Sequence, residues 1–251
     1  MKFRELGKTE NPAVILLHGE GLSWWSAEKA GRLLQNQYHI ILPILDGHGE
    51  EGETAFIGIA DSAEKLIRFV DRRFGGHVFA VCGLSLGGQI AARVIAERPD
   101  FAEYAVLESV LVQPGYGQNY RISKLPVRLF LFLMHVRPFA KLQARFHSIP
   151  KEQFEPFYRD FRKISLISFQ KILGDSRSFR LPVNLGNTKA KVLILAGSGE
   201  SAERKLSAGL LKKAIPGSRL TIVRGMRRGV SIAHSKEYVH LLEPWFSGEM
   251  L

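Results

Sequence analysis

Apolar residues along the chain come in short runs separated by helical stripes, and the alternation between the two predicts most of the architecture. Ala13 to Leu17 and Tyr38 to Pro43 read as buried strands, with a helix from Ser26 to Gln35 between them. A second helix is predicted over Asp61 to Phe74. Asp61 would cap it, Glu64 stands three residues on, Leu66, Ile67, Val70 and Phe74 form its stripe, and Gly75-Gly76 end it. His77 to Cys82 is a third strand. It is followed by a helix from Gly88 to Glu97 with Ile90, Ala91, Val94 and Ile95 on one face and Pro99 just beyond its end. Tyr104 to Glu108, Lys191 to Ala196 and Arg219 to Val223 add strands, and Ser235 to Phe246 closes the chain as a helix. Such an order predicts an α/β fold with a mostly parallel, doubly wound sheet and helices on both faces. Lys2 to Leu6 is expected to join it as an antiparallel edge.

Composition narrows the class. With 251 residues, 45% of them hydrophobic and 24% charged, the chain suits one α/β domain with an insertion. A single cysteine excludes an internal disulfide, and Cys82 reads as a small buried residue of its strand. The first residues hold no apolar signal region and no run reaches membrane-spanning length, so a cytoplasmic location is expected.

The charge is uneven. Residues 113–180 hold thirteen Lys or Arg against four Asp or Glu, nearly all of the net +11, together with nine of the sixteen phenylalanines. This segment, taken as 113–184, is expected to form a basic, Phe-rich helical cap inserted into a core of 1–112 and 185–251. Its run Leu129 to Val136, flanked by Arg128 and Arg137, suits a helix over an apolar pocket or one lying on a negatively charged membrane surface. A packed cap with a basic outer face is the plainer alternative. The aromatics follow core spacing and no nucleic-acid reading motif is present, so no nucleic-acid partner is expected.

Chemistry concentrates at Val81-Cys82-Gly83-Leu84-Ser85-Leu86-Gly87-Gly88. A strand that turns sharply into a helix leaves room only for glycine two residues before and after the apex, and the apex serine is presented beside the helix N-terminus. A dinucleotide fingerprint fits less well, because serine replaces its middle glycine and no acidic residue closes a second strand at the required distance.

Together with His18-Gly19-Glu20-Gly21, Asp46-Gly47-His48-Gly49 and Gly197-Ser198-Gly199-Glu200, this motif resembles the α/β-hydrolase superfamily, and within it the small bacterial carboxylesterase-like hydrolases with a helical cap. The resemblance implies an α/β-hydrolase-type sheet with Ser85 as nucleophile and Glu200 as the acid, with Glu108 at a strand end in reserve. It also implies oxyanion donors at the backbone amides of Glu20 (or Gly19) and Leu86. His18 and His48 would brace their loops.

The base departs from the pattern. Where the resembled family reads Gly-Met-Gly-His-Gly, this chain reads Gly225-Met226-Arg227-Arg228-Gly229. A guanidinium offers only donors and stays charged, so Arg228 cannot take a proton from Ser85. Loss of one triad member costs about 10⁴ to 10⁶ in kcat. His234, six residues on at the entry of the last helix, is the substitute to consider.

Three readings follow. The chain is an ester hydrolase acting through an acyl-enzyme on Ser85 with His234 as displaced base. Alternatively it is an impaired relative that binds an apolar or anionic ligand, with Arg228 or Arg227 pairing the anion. The third is a module that docks on an anionic membrane. Phe130, Met134, Glu108 and Arg228 are the expected pocket residues. No cofactor and no metal site are expected, since no zinc-like Cys/His spacing and no phosphate-binding lysine loop appears. The oligomeric state is left open.

Overall fold

The apolar runs become strands β1 (Lys2–Leu6), β2 (Ala13–Leu17), β3 (His39–Ile44), β4 (Val78–Leu84), β5 (Ala102–Glu108), β6 (Lys191–Gly197) and β7 (Arg219–Val223) in a computed structural model that describes residues 1–112 and 123–249. They lie side by side in the order β1-β3-β2-β4-β5-β6-β7. Only β1 runs antiparallel, with Lys2 opposite Ile44 and Leu6 opposite Ile40. Every other neighbour is parallel.

Parallel strands need crossover connections, and the intervening helices supply them on both faces. Along β2, Val14 and Leu16 turn to the side covered by α1 (Trp25–Leu34) and the closing helix, meeting Ala30, Leu34, Val239 and Leu242. Ile15 and Leu17 turn to the other, where α2 (Ile59–Phe74) and α3 (Leu86–Glu97) bring Leu66, Val70, Ile90 and Val94. The sheet thus separates two cores, and strands covered on both faces appear in sequence as unbroken apolar runs.

One helix start differs from expectation. Gly58, and not Asp61, stands at the N-cap of α2, while Asp61 lies in the first turn and pairs with Lys65 at 2.7 Å. The Ile59 amide instead meets the Asp175 carboxylate at 3.3 Å, from a helix of the insertion. A long-range acceptor satisfies an end group that a local side chain was expected to satisfy.

Between β5 and β6 the described residues form α4 (Lys124–Leu133), α5 (Arg137–Phe146), α6 (Phe154–Phe161) and α7 (Leu166–Ser178). Residues 113–122, the first part of the expected cap, lie outside the described residues. Buried polar contacts tie these helices to the core: Trp25 Nε1 donates to Asp160 Oδ2 at 3.0 Å, the Phe56 amide to Ser168 Oγ at 3.2 Å, and Gln89 Nε2 to the Ser176 carbonyl at 2.8 Å. The predicted run at 129–136 is helical only to Leu133. On α4, Val127 is buried and Phe130 partly so, whereas Leu125, Leu129 and Phe132 are exposed. That outer face is therefore apolar as well as basic. Among the described residues no helix is long and apolar enough to cross a membrane.

After β6 come α8 (Ala202–Ala214), then β7, the short α9 (Val230–Ala233) and α10 (Ser235–Phe246).

Candidate active site

Ser85 sits between β4 and α3 with φ 52° and ψ −109°, a conformation in which an L-residue is strained. The surroundings enforce it. Its amide donates to the Glu108 carbonyl at 2.8 Å and its carbonyl accepts from the Gln89 amide at 2.9 Å, so strand and helix pin it from both sides. A Cβ on Gly87 would lie 2.5 Å from the Leu17 carbonyl oxygen and 2.7 Å from that of His18. The glycine thus lets the end of β2 approach the turn. Ser85 is 1% exposed, and its Oγ has no hydrogen-bond partner.

The loop after β2 is held by His18. Its Nε2 accepts from the Leu45 amide at 3.1 Å, which leaves the hydrogen on Nδ1, 2.9 Å from the Gly19 carbonyl. The His48 ring meets His18 edge-on at 5.1 Å. Burial pushes His18 down to about 3, helped by the neighbouring His48, and pushes His48 down to about 4. Both are neutral braces at pH 7. The Leu86 amide opens α3 and the Glu20 amide follows Gly19, and among the described residues neither is engaged in another hydrogen bond.

Glu200 is 7% exposed. Its Oε1 accepts from Ser109 Oγ and from the Gly197 amide, both at 2.7 Å, while its Oε2 is buried without a partner. Ser109 itself has φ 52° and follows β5, the strand beside the one that carries Ser85.

Arg228 turns to Glu20, with its NH2 nitrogen 3.2 Å from Oε1. Burial alone would raise the pKa of Glu20, but Arg228, Arg204 and His147 hold it below the usual carboxylate range. His234 is placed differently from the other candidates. It stands between α9 and α10 with its side chain exposed, its amide donating to the Val230 carbonyl and its carbonyl accepting from the Tyr238 amide. The fold does not bring its imidazole into contact with the buried Ser85 or Glu200.

Glu108 is 1% exposed and accepts from the Ser231 amide at 3.2 Å. Burial pushes its carboxyl up to about 7 from 4.5, against the opposing hydrogen bonds of Ser231. The folded state therefore holds this proton more tightly than the unfolded chain, and its stabilising contribution is full below pH 4.5 and lost as pH rises through 7. Glu108→Gln should then gain on the parent over that window, by up to ~3 kcal/mol at pH 8. Urea midpoints at pH 4.5 and 8 check this, and an equal difference at both would refute it.

Between the insertion and the core lies a cavity of about 610 Å³. Glu20, Arg204, Arg228 and His147 form its polar wall, and Phe130, Phe157, Phe161 and Phe169 are among its apolar ones. Met134 and Glu108, expected to line it, do not: Met134 is buried in the apolar core that the insertion shares with one face of the sheet, and Glu108 beneath Ser231. Ser85 is not among its lining residues either. Among the described residues no group of three or more His, Cys, Asp or Glu side chains is arranged to hold a metal ion.

Arg204, His147 and Ser109 were not singled out from the sequence. Arg204 lies in the first turn of α8 and His147 just after α5, and nothing in their local pattern points towards each other or Arg228. Only the wrapped cap brings them together.

A parallel sheet with one antiparallel edge, a glycine-flanked serine on a strained strand-to-helix turn and a buried carboxylate after β6 define the α/β-hydrolase class of fold. The chain belongs to the alpha/beta hydrolase family, whose model matches residues 14–231. An AB hydrolase superfamily protein of Gibberella zeae is 24% identical over 253 residues, covering 95% of this chain and 82% of that protein. Among solved structures, the enol-lactonase of Burkholderia xenovorans superposes with a TM-score of 0.77 at 16% identity, covering 99% of this chain and 96% of that one. A thermophilic esterase of Thermogutta terrifontis gives 0.74 at 16% identity, with 98% and 93% covered.

Proposed function

We propose that the protein is a carboxylic ester hydrolase of serine type whose turnover is held low by the substitution at Arg228. In this reading Ser85 Oγ bonds to the acyl carbon and the alcohol leaves. The Leu86 and Glu20 amides take the charge on the carbonyl oxygen, and water then releases the acid. The Ser85 proton needs an acceptor. The observation that carries the reading is a pair of buried orphans, Ser85 Oγ and Glu200 Oε2. In this reading they are the two atoms that an imidazole would join in a complete triad, and Arg228, which stands where the resemblance puts the histidine, is engaged with Glu20.

Labelling with a fluorophosphonate tests it. Modification is expected at Ser85 alone, slow at pH 7, and rising with pH without an inflection near 6.5, because hydroxide and not an imidazole takes the proton. Lack of any labelling up to pH 9.5 would sink the hydrolase reading. An inflection in the pH profile that disappears in His234→Ala would instead make His234 the displaced base.

A further inference from the structure

The polar wall of the cavity between insertion and core carries more positive charge than its neighbours balance. Arg204 and Arg228 both face the cavity, with Arg177 also lining it, against the single carboxylate of Glu20. Arg228 takes that carboxylate at 3.2 Å. Arg204 has no carboxylate within ion-pair distance among the described residues, and its guanidinium donates to the Ser109 carbonyl. Burial, followed by repulsion from Arg228, pushes Arg204 down to about 10, against the longer-range pull of Glu20, Glu200 and Glu203. A guanidinium at a cavity wall with no carboxylate in direct contact leaves room there for an anion.

His147 does not add to the excess. Burial and then the field of Arg228 push it down to about 4, so at pH 7 it offers a neutral imidazole able to donate or accept one hydrogen bond. Away from this end the wall is apolar, with Phe130 and Phe169 stacked at 5.7 Å and Phe161 set edge-on to Phe169 at 5.3 Å. The volume, about 610 Å³, lies in the range of sites that enclose a small organic molecule.

We propose that this cavity binds an amphiphilic carboxylate, its acid group on the free face of Arg204 with His147 beside it and its acyl or aryl body along the phenylalanines. A planar carboxylate matches the guanidinium fork with two parallel hydrogen bonds, and partial burial strengthens the pair. The inference deepens the esterase reading by naming the class of acid that the cavity between insertion and core would hold, and it rests on that reading only for the claim that such an acid is the product released from an ester.

Calorimetric titration of the full chain at pH 7.5 and low salt tests it, with decanoate, decyl phosphate and decyltrimethylammonium as probes. Decanoate is expected to bind at least tenfold more tightly than the ammonium compound. Arg204→Met should weaken decanoate by at least tenfold and Arg204→Lys by less, since lysine keeps the charge but loses the fork. Circular dichroism confirms that each variant is folded. Equal affinity for decanoate and decyltrimethylammonium, or unchanged affinity in Arg204→Met, would overturn the proposal, and binding of decyl phosphate without decanoate would overturn the carboxylate assignment. Fluorophosphonate labelling of Ser85 is read in parallel. Its failure with decanoate binding intact removes the esterase reading alone, and loss of binding with labelling intact removes this one alone.

Discussion

Replacing Arg228 by histidine is expected to raise hydrolysis of p-nitrophenyl esters by about 10²-fold or more at pH 8. In the proposed reading two open groups await the imidazole: Glu200 Oε2, buried and unpartnered, would accept from one ring nitrogen, and Ser85 Oγ, equally unpartnered, would donate to the other. Arg228 immediately precedes Gly229, whose φ of 84° ends the loop before α9. Restoring the base should also introduce a pH inflection near 6.5 that the parent lacks. Losing the arginine leaves the half-buried Glu20 carboxylate without its ion-pair partner, which is costly even with Arg204 nearby. For that reason Glu20→Gln with Arg228→His should be at least as active as Arg228→His alone, while Arg228→Ala should gain little. Steady-state rates of the four proteins decide the matter. An Arg228→Ala as fast as Arg228→His would show that removal of the cation, and not supply of a base, is what counts.

Gly87→Ala is expected to leave little folded protein. Its methyl group would lie 2.5 Å from the Leu17 carbonyl oxygen and 2.7 Å from that of His18, and neither is a side chain that could swing aside. Relief would require β2 to withdraw from the turn, loosening a strand that is paired on both edges and fully buried. A loss of more than about 4 kcal/mol is expected, a large share of the 5–15 kcal/mol that holds an ordinary domain folded. Gly217→Ala is the control, because a methyl there meets nothing within 4 Å. Soluble yield and urea midpoints compare the two. A Gly87→Ala within 1 kcal/mol or so of the parent would mean that the elbow is far softer than its close contacts indicate.

What the sequence makes legible follows from how local each cause is. Strand β2 is read to the residue because a parallel sheet buries both faces of a central strand, and Ala13 to Leu17 has no polar position to interrupt it. The Ser85 turn is equally legible, since its steric demand falls on glycines two residues away. The departure at Arg228 is visible as a mismatch of one position, but its engagement with Glu20 is not, because the two are separated by 208 residues. The same limit hides Arg204 and His147, and it misplaces the cap of α2, whose acceptor Asp175 comes from beyond β5. Met134 fails for a related reason: within one apolar run, periodicity does not say which residues look into a cavity and which into the core, and Met134 caps the end of α4.

The Asp175 carboxylate on the Ile59 amide, the Asp160 carboxylate on the Trp25 indole and the Ser176 carbonyl on Gln89 have a mechanical meaning. The core groups Trp25, Ile59 and Gln89 are well separated along the chain, while two of their acceptors, Asp175 and Ser176, are neighbours on α7. Excising the insertion would strand the Trp25 indole and the Ile59 amide and leave Gln89 only the Leu111 carbonyl, so the insertion is expected to behave as an integral part of the domain. It cannot swing clear as one rigid flap without breaking these anchors together. Traffic into the cavity should therefore pass between helices that flex individually, chiefly around α4, which contributes Phe130 to the wall and no tie of this kind to the core.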